Sequence, residues 1–443
     1  MRNRKNSGKP INARVIAANI LVAVSQQGHR LEYAIKTSLP AQISPKDAAF
    51  VKELSYGGVR HWIQLLALVN SCLQRPLKNK DADISALMVL GLYQLIYLRV
   101  PDHAALSATV NAVVDIGKAW AKNLVNGVLR NLQRNYKQKL SELASNPEAE
   151  FNHPDWMLRR LKQQWPDNWR MIVVANDEYP PLTMRVNHAR ITTSECLARL
   201  ASDGISAEAV EGVSTAIRLS KALDVTQMAL FTSGLLSVQD SAAQLAAPLL
   251  QLGAHERVLD MCAAPGGKTG HILENRGDLQ ELVSVEIESR RSDRIVENLS
   301  RLKLRATVVT ADATTPQAWW DKRVFDKILL DVPCSASGVI RRHPDIKLLR
   351  SENDLSELLK LQQKILTEIW PLLRPGGMLL YVTCSVFQEE NAQQIEHFLA
   401  RHSDATAMQI DVGCGVVSGA GLQILPGQSD MDGFYYARLK KLA

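Results

Sequence analysis

The 443-residue chain has no Cys-x-x-Cys pair, no apolar run of membrane length and no complete nucleotide-binding glycine signature. Its six cysteines, Cys72, Cys196, Cys262, Cys334, Cys384 and Cys414, are scattered, so spacing indicates neither a zinc site nor a disulfide framework. That usage suits a reducing cytoplasm, and no metal is expected. The apolar stretch 84–98, between Asp83 and Arg99, falls short of the ~20 residues of a spanning helix. Near the start, basic Arg2, Arg4 and Lys5 precede the apolar run 15–24 and imitate a secretory signal. Asn19 interrupts that run and no A-x-A site follows, so a first core helix explains it better.

What is present is the balance of a globular protein, 46% apolar and 22% charged, long enough for two or three domains. Charge is unevenly placed. Residues 1–140 hold 20 Lys/Arg against 7 Asp/Glu, a net +13, whereas the whole chain carries only +7, leaving −6 for the remainder. An amino-terminal excess of this kind draws a polyanion, and nucleic acid is favoured over a merely solvated helical face. Arg185, Arg341 and Arg342 are further candidates for contact with it.

Apolar spacing from Asn12 to about Tyr136 is helical, with breaks at Pro40, Pro45, Pro76 and Pro101, and predicts an all-α domain over residues 1–145. Residues 142–155 lose the pattern and read as a linker. Strand candidates at 182–186 and 216–219, mixed with helical stretches, predict a small α+β module, so linker and module together span 146–235. Over 236–443, strands at 257–260, 282–286, 307–310, 327–331 and 378–382 alternate with helices, which predicts a doubly wound α/β sheet with its ligand site at the carboxyl ends of the strands.

The first of these strands runs into Cys262, Ala263, Ala264, Pro265, Gly266, Gly267, Lys268 and Thr269. A phosphate-binding loop needs a glycine where Cys262 stands, and a nicotinamide site needs three glycines at offsets absent here. S-adenosylmethionine (SAM) needs close backbone approach without a full phosphate cradle. Glu286, at the end of the second strand, can hydrogen-bond a ribose, and Asp312, after the third, can accept from an adenine amino group.

Cys334 and Cys384 end the fourth and fifth strands, which are expected neighbours, so both thiols would open onto the cleft of the glycine loop. Cys72, Cys196 and Cys414 read as small hydrophobes. Carbon 5 of a pyrimidine is a poor nucleophile until a thiolate adds at carbon 6, and this is chemistry a thiol can supply. Lys268 is a candidate to favour the thiolate. Asp331 is a candidate to hydrogen-bond or protonate N3 of the base. An amino-methylating enzyme would be expected to carry Asn/Asp-Pro-Pro-Tyr where Asp331-Val332-Pro333-Cys334 stands. These arguments leave open which cysteine attacks.

The sequences Cys262-Ala263-Ala264-Pro265-Gly266-Gly267-Lys268, Asp331-Val332-Pro333-Cys334-Ser335 and Thr383-Cys384-Ser385 resemble, in order and spacing, three motifs of the RNA cytosine-5 methyltransferases, the NOL/NOP/Sun family. The segments 338–345 and 432–436 add to the similarity. The resemblance implies that Cys384 is the nucleophile, that Cys334 assists product release, and that residues Cys262 to Lys268, Glu286, Asp312 and Asp331 contact SAM. Many relatives carry Asp where Glu286 stands. The amino-terminal third resembles the helical NusB fold, through residues 86–95 and 125–130, and residues 156–235 would be an RRM-like module. The combination implies small-subunit rRNA as substrate, no membrane partner and a monomer. Methylation of tRNA or of another rRNA cytosine, and a non-catalytic RNA-binding or antitermination factor, are the alternatives.

Overall fold

The computed structural model describes residues 12–443; the basic cluster Arg2, Arg4 and Lys5 lies outside the described residues. The described residues form two compact units, residues 12–178 with Ile340–Arg350, and Tyr179–Val339 with Ser351–Ala443.

The first unit is helical. Its central helix, Ala82–Tyr97, buries every residue from Ala86 to Gln94, as a helix apolar on all sides must. The 84–98 run is therefore core, and among the described residues no helix is long and apolar enough to cross a membrane. The apolar run 15–24 lies in the first helix, Ala13–Gln27, whose Ile20, Leu21 and Val24 are buried. Helix Pro45–Arg60 meets the central helix closely at Gly57, where a Cβ would fall 1.9 Å from the Tyr93 ring. The 142–155 stretch, expected as a linker, instead starts helix Pro147–Phe151. The Asn146 side chain accepts from the Glu148 and Ala149 N–H groups and Pro147 opens the first turn, so an Asn-Pro pair that reads as a break is an N-cap. Helices Asp155–Gln164 and Trp169–Asp177 complete this unit with residues 340–350.

The second unit holds two sheets. Strands β1 (Leu182–Val186), β2 (Ala207–Ala209), β3 (Ala216–Leu219) and β4 (Leu236–Val238) form an antiparallel sheet in the order β2-β3-β1-β4. Helix Thr193–Ser202 packs with it and begins in a capping box between Thr192 and Glu195. The larger sheet contains β5 (Arg257–Met261), β6 (Glu281–Glu286), β7 (Thr307–Thr310), β8 (Phe325–Asp331), β9 (Leu373–Thr383), β10 (Ala405–Met408), β11 (Val416–Ser418), β12 (Gly421–Ile424) and β13 (Phe434–Lys441). Its order is β11-β12-β13-β9-β8-β5-β6-β7, with β10 also on β13. Strands β9, β8, β5, β6 and β7 are parallel, and their apolar sequences follow from burial on both faces. Strand β13 runs antiparallel to β9, which makes the sheet mixed. Strand order reverses at β5, where chain connections leave to opposite sides and open a crevice at the carboxyl ends.

Candidate active site

The glycine loop leaves β5 at that crevice. Cys262 and Gly266 both have positive φ, 59° and 89°, and Gly266 is the N-cap of helix Gly267–Asn275. Glycine is required at 266 twice over, because a Cβ there would also lie 3.1 Å from the Ile295 Cα. At the end of β6, the Glu286 carboxylate is 2% exposed and accepts from the N–H groups of Ala264 (3.3 Å), Ile287 (3.1 Å) and Glu288 (3.2 Å). Arg291 pairs with it at 3.2 Å. Past β7, Asp312 Oδ1 accepts from the Thr314 N–H at 2.7 Å.

Strands β8 and β9 are direct neighbours, with Asp331 beside Val382, so the loops after them run side by side. Cys334 Sγ and Cys384 Sγ lie 3.4 Å apart. Cys334 is buried and Cys384 half-buried. The hydrogen bond to Cys384, then burial, then the negative charges of Cys384 and Glu390 hold the Cys334 thiol well above the ordinary thiol range. Lys268 Nζ donates to Asp331 Oδ2 at 2.6 Å and lies 5.3 Å from the Phe434 ring centroid. Burial pulls the Lys268 ammonium down, but Asp331, with Cys384 and Asp260, outweighs it and holds Lys268 above the ordinary lysine value. The lysine is therefore a fixed cation beside the thiol pair. Gly338 and Gly433, from the two shorter segments of family resemblance, meet directly: the Gly433 N–H donates to Gly338 O at 2.7 Å, and a Cβ on Gly338 would fall 2.2 Å from Gly433 O.

Two candidates for nucleic-acid contact are corrected. Arg185 is fully buried, with Nε and Nη2 on Glu274 at 2.7 and 2.8 Å and Nη1 on Gly267 O at 2.7 Å. Arg341 is 1% exposed, inside the helical unit. The Arg185 guanidinium bonds within the interior, and Arg341 is buried. Nothing in the local sequence of Arg185 signals this, because its partners are distant in the chain. Cys196 is buried, while Cys72 and Cys414 are partly so. Three further groups were not read from sequence: Asp260 beneath the glycine loop, the exposed Ile287 beside Glu286, and Glu390 beneath both thiol loops.

This end of the sheet fits SAM. Backbone approaches closely at Gly266, two carboxylates end adjacent strands, and Ile287, 61% exposed, offers an apolar face beside Glu286 to a flat base. Among the described residues no group of three or more His, Cys, Asp or Glu side chains is placed to hold a metal ion.

Family models match in three places: the 16S rRNA methyltransferase RsmB/F model over residues 247–440, the NusB family over 11–134, and the RsmF/B-like ferredoxin-like domain over 153–226. The chain is 42% identical over 436 residues to the ribosomal RNA small subunit methyltransferase B of Pseudomonas putida, covering 98% of this chain and 99% of that one. It is 42% identical over 431 residues to the protein of the same name in Vibrio cholerae, covering 97% and 98%. A crystal structure of a methyltransferase homologue from Pyrococcus horikoshii aligns with a TM-score of 0.58 at 26% identity, covering 67% of this chain and 97% of that one. Likeness of this extent, together with the crevice geometry, shows that the chain belongs to the 16S rRNA methyltransferase RsmB/F family and is a SAM-dependent RNA methyltransferase.

Proposed function

We propose that this chain methylates carbon 5 of a cytosine in small-subunit rRNA, cytosine 967 of the 16S molecule, with Cys384 as the attacking thiol and Cys334 as the releasing one. The observation that carries the mechanism is the pair of thiols 3.4 Å apart beside the Lys268–Asp331 ion pair. The names of the relatives, ribosomal RNA small subunit methyltransferase B, support the substrate.

SAM, when bound, supplies an electrophilic methyl group. Residues Cys262 to Lys268, Glu286, Asp312 and Asp331 would hold it. Cys384 is more exposed than Cys334 and can accept the Cys334 S–H, so it is the thiol suited to react as thiolate. Its Sγ adds to carbon 6 of the base, and the ring electron pair makes carbon 5 nucleophilic. Lys268, held by Asp331, is the cation of this site. Asp331, paired to Lys268, accepts from the 4-amino group and from the proton that N3 takes from solvent water as the adduct forms and returns on elimination, drawing charge from the ring. After methylation the carbon 5 proton passes to solvent water and the C5–H electron pair re-forms the C5–C6 double bond. The C6–S bond breaks, and Sγ of Cys384 departs as thiolate, its charge met by the S–H of Cys334 3.4 Å away. The target base must leave its stack to reach this crevice. Residues 1–145 then act as the basic RNA-binding module and 146–235 as a linker and RRM-like module of a cytoplasmic, monomeric enzyme, with 236–443 catalytic.

Two substitutions test the mechanism. Cys384→Ala abolishes methyl transfer to small-subunit rRNA, whereas Cys334→Ala accumulates a protein–RNA species that survives a denaturing gel. Full activity of the first variant, or no such species with the second, would refute the assigned roles. Bisulfite sequencing of rRNA from a deletion strain identifies the site, and loss at any other cytosine would replace the proposed target.

A further inference from the structure

The carboxylate of Glu390 is completely buried, six residues after Cys384 and outside every step described above. Its partners belong to both thiol loops. Oε1 accepts from the Ser335 N–H at 2.7 Å and from Gln362 Nε2 at 2.9 Å; Oε2 accepts from the Ser335 hydroxyl at 2.5 Å and from the Ser385 hydroxyl. Ser335 directly follows Cys334, and Ser385 directly follows Cys384. The same Gln362 amide also donates to Pro333 O at 3.0 Å, the carbonyl just before Cys334. The hydroxyls of Ser335 and Ser385 lie 3.2 Å apart.

Burying a carboxylate among hydroxyls and amides is expensive, and burial raises the pKa of Glu390 above the ordinary glutamate value. A core needing only volume would be filled more stably by an apolar side chain. What a carboxylate provides instead is two acceptor atoms with fixed separation, able to gather four donors from chain segments fifty residues apart. Covalent catalysis requires such fixity, since reacting groups must be held within about 0.5 Å of productive geometry.

We propose that Glu390 is the positioning residue of the thiol pair: one buried carboxylate clamps the Cys334 loop to the Cys384 loop and thereby sets the spacing between attacking and releasing sulfur. This rests on the two-thiol reading above. Two donors at Oε1, a backbone N–H and an amide NH2, cannot reverse, whereas both donors at Oε2 are hydroxyls that can turn to accept. A glutamine at 390 can therefore keep the clamp with its NH2 toward the serines, and an alanine cannot.

The test is steady-state methyl transfer to small-subunit rRNA by the full chain, with Cys384→Ala measured in parallel. Glu390→Ala is expected to lower kcat about 100-fold while KM for SAM stays within about threefold. Glu390→Gln should recover kcat to within about tenfold of the parent. If the alanine variant does not fold, Glu390→Asp carries the same test, because its carboxylate retreats by one methylene at unchanged charge and should slow kcat measurably. A folded Ala or Asp variant with parental kcat, or a Gln variant no faster than the Ala variant, overturns the clamp. An inactive Cys384→Ala beside normal Glu390 variants removes the clamp alone; an active Cys384→Ala removes both readings.

Discussion

At the end of β5, Asp260 is fully buried; Thr269 Oγ1 donates to its Oδ2 at 2.5 Å, and among the described residues Oδ1 has no hydrogen-bond partner. Burial, against the lowering effect of Thr269 and with Asp331 nearby, pushes its carboxyl up to about 7. Between pH about 4 and 7 the unfolded chain has released this proton and the folded protein keeps it, so stability falls as pH rises through that window. The span corresponds to a loss on the order of 4 kcal/mol. Asp260→Asn, which retains an acceptor for Thr269, should flatten that slope in urea unfolding at pH 5 and pH 8; an unchanged slope would show that another group titrates. Asp331, Lys268, Cys334 and Cys384 were legible in the sequence because each stands in a short contiguous motif that ends or follows a strand. Asp260 was not, although adjacent to the glycine loop, since a strand-terminal acid reveals its burial only once the layers over it are in place.

Helix Gly267–Asn275 carries the glycine loop, and its first turn is held from another sheet by Arg185 of β1. The guanidinium also pairs with the carboxylate of Glu274 from the helix's last turn, so Arg185 is bonded to residues of both its ends. Arg185→Ala leaves the nearly buried Glu274 without its cation, which should cost roughly 3–5 kcal/mol of folding stability. Thermal unfolding checks this, and a loss below about 1 kcal/mol would mean that water compensates the carboxylate. The parallel strands β5 to β9 were readable from apolar runs bounded by polar turns. Strand β13 was seen only as a motif around residues 432–436, because an aromatic-rich run does not reveal whether it lies parallel or antiparallel to its neighbour. The Asn146-Pro147 pair shows the converse: its local chemistry is consistent with both a break and a helix start, and the helical turn formed by residues 147–151 decides for the start.

Across the molecule, the chain returns to its amino-terminal helices at Ile340–Arg350. Lys347 Nζ, in a 1% exposed side chain, donates to Arg60 O at 2.7 Å, Asn152 O at 2.9 Å and Asp177 Oδ1 at 2.6 Å. In the same segment, Asp345 accepts from the Leu31 N–H that opens helix Leu31–Ser38. Burial draws the Lys347 ammonium below the ordinary lysine value despite Asp177. Lys347→Met removes the donor to Asn152 O and the counter-charge of Asp177, while Asn152 Nδ2 still donates to Arg60 O and Asp177 Oδ2, so the helical unit should lose about 3 kcal/mol. Hydrogen exchange of helix Pro45–Arg60 reads this directly; parental protection there would show that the segment does not stabilise the unit.

Period, composition and motif order by themselves determined the helical amino-terminal region, the α/β sheet, the glycine loop and the two cysteines that end neighbouring strands. These features are local, since helix and strand periodicity and turn chemistry act over a few residues. Tertiary structure alone decided the rest: Arg185 and Arg341 face inward, residues 340–350 belong with helices three hundred residues earlier, and Glu390 gathers both thiol loops. Arg185, Lys347, Asp345 and Glu390 are each satisfied by partners distant in sequence, and only the folded chain shows whether a charge meets water or another part of the protein.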